Sequence, residues 1–436
     1  MAQQPLLKGV RVLGLEQAMV LPYGTSFLAD WGADVIRVES TDHLGVERYA
    51  GPYAGGELPE DWWNGGGTYT EWNRGKKSVV INIYHPKGKE LFLELVKKSD
   101  IVADNFRPPT LEKAGLDHES LKKVKPDIIT LTMNACGSTG PYRYMGSRAR
   151  TSDSMSGLSY ISGYEGAEPL RVSGNYMDHV GGITSALALL AAIHYKRTTG
   201  KGMRLDASMY ESGMLTIQPS LLGAQRGIEY PRSGSSSPYG KAPYNVYPTK
   251  GTEQWVAITV SNDTEWDRLK EALEHPDWAN SEMFDTAIGR WENRKVLDAM
   301  LGEWTAAQDR NSIQSILQKH GVPAGGVLNT KDTFEDPQYQ EREFFETITP
   351  ELATTPSQKR LLGKKFTGKP WRLPEIPHTF GPGADFAQHN YEVLHGLLGL
   401  SESEINKLKE EGVVADQPSA HEILIRKPQP GGGGMG

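Results

Sequence analysis

In the stretch GNYMDHVGGITSALALLAAIHYKRTTGKG, Asp178 stands at the head of a long apolar helical pattern, and Gly181 and Gly182 follow it. Ile183, Leu187, Leu190 and Ile193 recur at helical spacing, Lys196 and Arg197 fall in the last turn, and Gly200 ends the pattern. A carboxylate in that position has two uses. As a cap it accepts hydrogen bonds from the first free backbone amides. As a nucleophile it attacks an acyl group lying over backbone left bare by the two glycines. Each glycine costs a helix about 1 kcal/mol relative to alanine, so the pair asks for a reason.

A second set of candidates is basic. Arg37 ends one strand pattern, and WNRGKKS places Arg74, Lys76 and Lys77 just before another. Ligands of parallel sheets bind at the carboxyl ends of the strands, where basic groups suit a phosphate through charge-assisted hydrogen bonds. A solvated charge cluster would need no ligand at all. The turn DNFRPPTLEKAGL adds Asn105, Phe106 and Lys113 at a further strand end.

Other chemistries find less support. The eleven histidines include no H-E-x-x-H pattern, and the single cysteine allows no C-x-x-C pair, so no metal site is expected. His179 points from a different helix face than Asp178 and reads as structural. Cys136, in MNACGSTGPY, reads as a small buried residue, and Ser138 and Thr139 lack the hydrolase G-x-S-x-G elbow.

These residues need a scaffold, and the first 135 residues alternate strand and helix patterns. GVRVLGLE, ADVIRVES, KSVVINI, DIVADNF and DIITLTMNA read as strands, separated by PYGTSFLADWG, PKGKELFLELVKKS and ESLKKVKP as helices. Such alternation implies right-handed crossovers and a parallel sheet covered on both faces. It is a Rossmann-like layout without the G-x-G-x-x-G dinucleotide fingerprint. The expected organisation is a large domain over 1–218, a linker and smaller α/β domain over 219–334, a return to the large domain over 335–426, and a disordered tail over 427–436. RSGSSSPYGKAP within the linker has the composition of a mobile loop.

Composition narrows the class. Hydrophobic residues at 38% and charged residues at 23% describe a soluble chain with a core, and a net charge of -7 argues against general nucleic-acid binding. The lone cysteine fits a reducing compartment. Neither a run of about 18 apolar residues nor a signal-peptide pattern is apparent. The expectation is a cytoplasmic protein with no membrane and no nucleic-acid partner.

Taken together, LLKGVRVLGLEQAMVLPYGTSFLADWGADVIRVES, WNRGKKSVVINIYHPKGKELFLELVKKSDIVADNFRPPTLEKAGL, DHVGGITSALALLAAIHYKRTTGKG and HGVPAGGVLNTKDTFEDPQYQEREFF resemble the family III CoA-transferases, from about Leu6 to Val414. That group includes formyl-CoA and carnitine CoA-transferases and alpha-methylacyl-CoA racemase. The resemblance implies interlocked dimers, homomeric or paired with a paralogous subunit, and CoA esters and small carboxylic acids as substrates with no tightly bound cofactor. It implies Asp178 as the catalytic carboxylate, with Gly181 and Gly182 at the acyl group and as candidate oxyanion donors. Arg37, Arg74, Asn105, Phe106 and Lys113 become candidate contacts to the CoA thioester. Met19 stands where relatives carry a polar residue, and RSGSSSP replaces their glycine-rich lid. The racemase branch needs a histidine near Arg148, and arginine cannot serve as a base at neutral pH. Arg148 and Arg150 suit instead a second carboxylate, such as that of succinate. The implied activity is an acyl-CoA:carboxylate CoA-transferase working through an aspartyl mixed anhydride and an aspartyl-CoA thioester. A CoA-ester isomerase and a non-catalytic subunit of a heteromeric enzyme are the alternatives.

Overall fold

The computed structural model describes residues 4–53, 56, 58–164, 166–172, 174–229, 232, 240–376 and 380–428. Its elements begin β1 (Arg11–Leu15), α1 (Val20–Asp30), β2 (Asp34–Glu39), α2 (Gly67–Asn73), β3 (Lys77–Val80), α3 (Pro86–Lys97), β4 (Ile101–Asp104), α4 (Pro109–Ala114), α5 (His118–Val124) and β5 (Ile129–Asn134). Then come α6 (Ala149–Met155), α7 (Leu158–Ile161), α8 (Tyr176–Thr199), β6 (Arg204–Ser208) and α9 (Met209–Met214). Six strands pair in parallel in the order β3-β2-β1-β4-β5-β6. Successive strands run outward from β1 in one direction and from β4 in the other. The crevice at that reversal, beyond the carboxyl ends of the strands, is where ligands of such sheets bind.

Both faces of the sheet are covered, which is why its strands read as near-continuous apolar runs. On one face α1 and α8 pack together. On the other, Leu13, Val102, Phe92, Leu95 and Leu121 form a core with Val393, Leu394, Val413 and Val414 from the far end of the chain. The first compact unit accordingly comprises 1–156, 173–216 and 343–436. Local signals set its helices: His85 caps α3 ahead of Pro86, and Asp117 caps α5 by accepting from the Ser120 amide. Gly200, at φ 71°, closes α8 in the left-handed conformation that glycine adopts without penalty.

The second unit comprises 157–172 and 217–342, so the stretch 157–172, which the sequence leaves in the large domain, belongs here. After α10 (Gln218–Ala224) it builds the strands β7 (Tyr244–Pro248), β8 (Trp255–Thr259) and β9 (Ala324–Gly326) into an antiparallel sheet. Helices α11 (Asp263–Ala272), α12 (Ala287–Glu292), α13 (Arg294–Ala306) and α14 (Arg310–Lys319) lie between β8 and β9 in the chain. Trp266, Phe284, Leu297, Leu301, Ile313 and Leu317 fill its core. Two short helices, α15 (Thr330–Glu335) and α16 (Pro337–Glu341), end the unit. The return to the first unit runs through β10 (Phe345–Thr347), α17 (Pro356–Lys359), β11 (Lys365–Thr367), α18 (Glu402–Glu410) and α19 (Ala420–Arg426).

One expectation needs correction. Helix α8 is long and apolar enough to cross a membrane by length and composition. Its buried side includes Met177, Ala186, Leu189 and Ile193, so packing within the first unit accounts for part of the apolar run, while Ile183 and Leu187 remain exposed. The linker stretch 233–239 and the tail 429–436 lie outside the described residues.

Candidate active site

Asp178 occupies the first turn of α8 and is 9% exposed. It is not the N-cap, since the helix begins at Tyr176 after Asn175. A carboxylate in the first turn is favoured by the positive end of the helix dipole. The glycines beside it have a packing role. A Cβ on Gly182 would lie 2.7 Å from the Val20 carbonyl oxygen and 2.9 Å from the Tyr23 ring, and one on Gly181 would lie 2.8 Å from Val20 Cγ2. On the facing helix, a Cβ on Gly24 would lie 2.5 Å from the Gly182 carbonyl oxygen. Gly24 and Gly182 thus let α1 and α8 cross with backbone against backbone, which sets the depth at which Asp178 is held. The two glycines thus have a packing reason that is independent of any role at the acyl group. The His179 amide bonds back to the Asn175 carbonyl. His179 itself places Nδ1 2.9 Å from the Asn175 carbonyl and its ring edge-on to Tyr23.

Beyond the carboxyl ends of β1, β2 and β3, and reaching Phe106 and Thr110 after β4, lies a cavity of about 290 Å³. Gln17, Arg37, His43, Ile83, Tyr84 and Phe106 are among its lining residues, so apolar and aromatic side chains meet a few polar ones. The β1–α1 loop forms part of the wall and is tightly pinned. The Gln17 amide donates to Asn105 Oδ1 (2.9 Å), and Asn105 Nδ2 donates to the Gln17 carbonyl (2.7 Å). Ala18 takes φ 56°, a left-handed conformation strained for alanine, and its amide donates to Glu47 Oε2 (2.8 Å). Asn105 therefore acts on the cavity through the loop, while Phe106 lines it directly.

The basic residues divide sharply. Arg37 borders the cavity but is 2% exposed, with its guanidinium spent on Glu47 and on Asn73 Oδ1 (2.8 Å). Burial works to lower its pKa, and the Glu47 and Glu39 charges more than reverse that. Arg48, fully buried, forks onto Glu39 at 2.7 and 2.6 Å. Burial pushes Glu39 up, yet Arg48 and Arg37 hold its carboxyl down at about 2. Lys76 is 4% exposed and donates to Glu16 Oε1 (2.5 Å) and the Pro22 carbonyl (2.8 Å), and burial lowers it to about 8. Arg74 stands apart from the cavity. It is 1% exposed, doubly bonded to Asp30 at 3.1 and 2.9 Å, and covered by the rings of Phe27 and Phe380. Neither Arg74 nor Arg37 offers a free fork to a phosphate; both stabilise the ground on which a ligand would sit. Lys77 is half-exposed and pairs with Asp34 (2.8 Å) and Glu392 (2.8 Å).

Lys113 is different: exposed on α4, one helical turn from Thr110, which lines the cavity. Arg148 caps α6 and Arg150 lies in its first turn, both exposed, and α6 packs against α8. Among the described residues no group of His, Cys, Asp and Glu is arranged to hold a metal ion. Sequence reasoning passed over Glu16, Glu39 and Glu47, whose burial no motif announces. It also passed over a second cavity at β4 and β5, for which the alternating Thr130 and Thr132 in DIITLTMN were an available signal.

A buried first-turn carboxylate and a strand-end cavity, in a sheet of this order, invite comparison with known proteins. Residues 7–378 match CoA-transferase family III. Succinyl-CoA–D-citramalate CoA-transferase of Chloroflexus aurantiacus is 30% identical over 425 residues, covering 94% of this chain and 98% of that one. The beta subunit of succinyl-CoA–L-malate CoA-transferase from the same organism is 27% identical, with 94% and 98% covered. Formyl-CoA:oxalate CoA-transferase of Streptomyces avermitilis is 26% identical, with 94% and 99% covered. A crystal structure of a CAIB/BAIF family protein from Brucella suis matches with a TM-score of 0.78 at 27% identity, covering 91% of this chain and 100% of that one. On fold, motif order and extent alike, this chain belongs to CoA-transferase family III, whose members use CoA thioesters as substrates.

Proposed function

We propose that the chain transfers CoA from an acyl-CoA donor to a carboxylic acid, with Asp178 as the covalent nucleophile. The carrying observation is a carboxyl 9% exposed in the first turn of α8, its depth set by the Gly24–Gly182 crossing. The Asp178 carboxylate attacks the donor thioester carbonyl, and CoA thiolate leaves to give a mixed anhydride. The thiolate then attacks the aspartyl carbonyl, forming an aspartyl-CoA thioester and releasing the donor acid. The acceptor carboxylate attacks that thioester, and the thiolate released attacks the acceptor acyl carbonyl of the new anhydride. Acceptor-CoA departs and the Asp178 carboxylate is restored. An activated acyl group persists throughout, so no external energy source is consumed. The positive end of the α8 dipole stabilises the oxyanion on this reading.

The CoA moiety occupies the 290 Å³ cavity, with Phe106 against it and Lys113 reaching its phosphates. Arg148 and Arg150 grip the distal carboxylate of a dicarboxylic substrate. Relatives named for succinyl-CoA, citramalate and malate support that substrate class. Exposed Ile183 and Leu187 on α8 suit burial against a second subunit. The relatives designated alpha and beta subunits keep a mixed pair, in which this chain scaffolds an active partner, as a second reading. The test is CoA exchange between succinyl-CoA and a panel of mono- and dicarboxylic acids, with hydroxylamine trapping. Wild type alone should transfer, with dicarboxylates preferred and a hydroxamate on Asp178. Asp178→Asn should fold and bind CoA but lose transfer by at least about 10³-fold. Near-normal transfer by that variant, with reversion by deamidation excluded, would sink the mechanism.

A further inference from the structure

The second cavity is not used by the reaction proposed above. It measures about 220 Å³ and lies against the face of β4 and β5 that turns to α4 and α5. Helix-facing positions of a doubly covered parallel sheet ordinarily carry aliphatic side chains. Here Asp104, Thr130 and Thr132 take those positions, with Asp104 6% and Thr130 8% exposed. Val102, Leu111, Leu116 and Leu121 make the walls apolar. An apolar hollow with a small convergent polar floor is the form of a small-molecule site.

The lining carries four carboxyl groups and two guanidiniums, and the guanidiniums are where an anion could be held. Glu112 is engaged by Arg143 (3.2 Å), Asp117 by the Ser120 amide and hydroxyl (3.2 and 2.8 Å), and Asp206 by the Ser138 amide (2.9 Å). The Glu119 side chain is 76% exposed. The Arg107 and Arg204 guanidiniums, both on the lining, make no salt bridge among the described residues, and Arg204 lies near enough to Asp104 for its charge to act on that carboxyl. On the floor, Thr132 Oγ1 donates to Asp104 Oδ2 (2.8 Å), the Phe106 amide donates to Oδ1 (3.1 Å), and His118 Nδ1 lies 2.8 Å from Thr130 Oγ1.

We propose that this cavity binds a small hydroxycarboxylate, its carboxylate held by Arg107 and Arg204 and its hydroxyl by the Asp104–Thr132 floor. The volume is below the roughly 300–1,000 Å³ of sites for drug-sized ligands, which points to an acid of about four or five carbons. Helix α4 is a wall shared by both cavities, with Thr110 on the first and Leu111 on the second. Asp104 also holds the amide of Phe106, whose residue lines the first cavity. An occupant that fixes α4 and Phe106 pre-organises the CoA cavity and tightens CoA binding. That coupling rests on the CoA reading; the acid site itself does not.

Binding should depend on pH. Burial pushes Asp104 up to about 7, against the hydrogen bonds from Thr132 and Phe106 and the Arg204 charge. Below that pH it offers a neutral hydroxyl to the ligand, and above it a second anion that repels the ligand. His118 is lowered by burial and stays neutral at pH 7 and above. The other charged side chains around the cavity are Arg107, Arg204, Glu112, Asp117, Glu119 and Asp206.

Malate is a suitable probe, measured by calorimetry on the intact protein without CoA and again at saturating CoA. Wild type should bind it at pH 6.5 and at least fivefold more weakly at pH 8. Arg204→Gln and Thr132→Val should each weaken binding about fivefold or more, and Asp104→Asn should remove the pH dependence. Malate should tighten wild-type CoA binding by about fivefold, a typical coupling, and lose that effect in Arg204→Gln, whose CoA affinity alone is unchanged. Absence of malate binding to wild type at millimolar concentration overturns the site. Binding untouched by Arg204→Gln and Thr132→Val also overturns it, because the acid is then held elsewhere. Malate binding with the expected variant effects, in a protein that does not bind CoA, would keep the site and remove the proposed function.

Discussion

Arg37, Arg74 and Lys76 on one side, and Arg107, Lys113 and Arg204 on the other, carry the same charge and flank the same sheet. The first three are 1–4% exposed and paired to Glu47, Asp30 and Glu16. The second three are exposed, and none has an ion pair with a carboxylate among the described residues. Removing a buried cation from a pair strands a desolvated carboxylate, whereas removing an exposed one costs the fold little. The same substitution should therefore read out as stability in the first set and as ligand affinity in the second.

The largest effect should come from Arg74→Ala. It leaves Asp30 without its two guanidinium bonds and opens a void between Phe27 and Phe380. A loss of about 3–5 kcal/mol is expected, seen as a lower denaturation midpoint, with the KM for the CoA ester little changed in whatever protein remains folded. An unaltered midpoint with a raised KM would reverse the assignment of Arg74 and erase the contrast.

A second contrast lies within α8, between a residue proposed for chemistry and the glycines proposed for packing. Asp178→Asn should spare stability and remove transfer. Gly182→Ala should do the opposite first, because its Cβ would meet the Val20 carbonyl at 2.7 Å, and backbone cannot swing aside as a side chain does. A loss of about 1–3 kcal/mol is expected, with kcat falling as Asp178 is displaced. Full stability in Gly182→Ala would mean that α1 and α8 are not held as closely as described.

Much of this was legible in the chain itself. The period of the apolar residues located the strands, and the alternation with helices predicted a parallel sheet, because both are local properties of the sequence. The role of the glycines was not legible, since a close helix crossing and a bare reactive surface demand the same residue. Nor was the fate of Arg37 and Arg74, whose partners Glu47 and Asp30 lie 10 and 44 positions away. Pairing at those separations is a product of the fold, and no spacing rule reports it. The polar floor at Asp104 and Thr132 was half visible, in threonines set where a covered strand should be aliphatic.

The smallest predicted effect is the most direct test of the exposed set. Lys113 stands one turn from Thr110 on α4, and α4 walls the cavity assigned to CoA. An exposed ammonium contacting a phosphate across solvent contributes on the order of 1 kcal/mol or less. Lys113→Ala should then raise the KM for the CoA ester roughly two- to fivefold, with kcat and the denaturation midpoint unchanged. Because the contact is screened, the difference between variant and wild type should shrink as salt is raised from about 0.05 M towards 1 M, where the Debye length falls to about 3 Å. Lys113→Arg should keep most of the wild-type KM, since charge rather than shape carries an exposed contact of this kind. A variant KM equal to wild type at low salt would leave Lys113 as solvated decoration. The exposed set would then lose its claim on CoA and retain only the arginines of the second cavity.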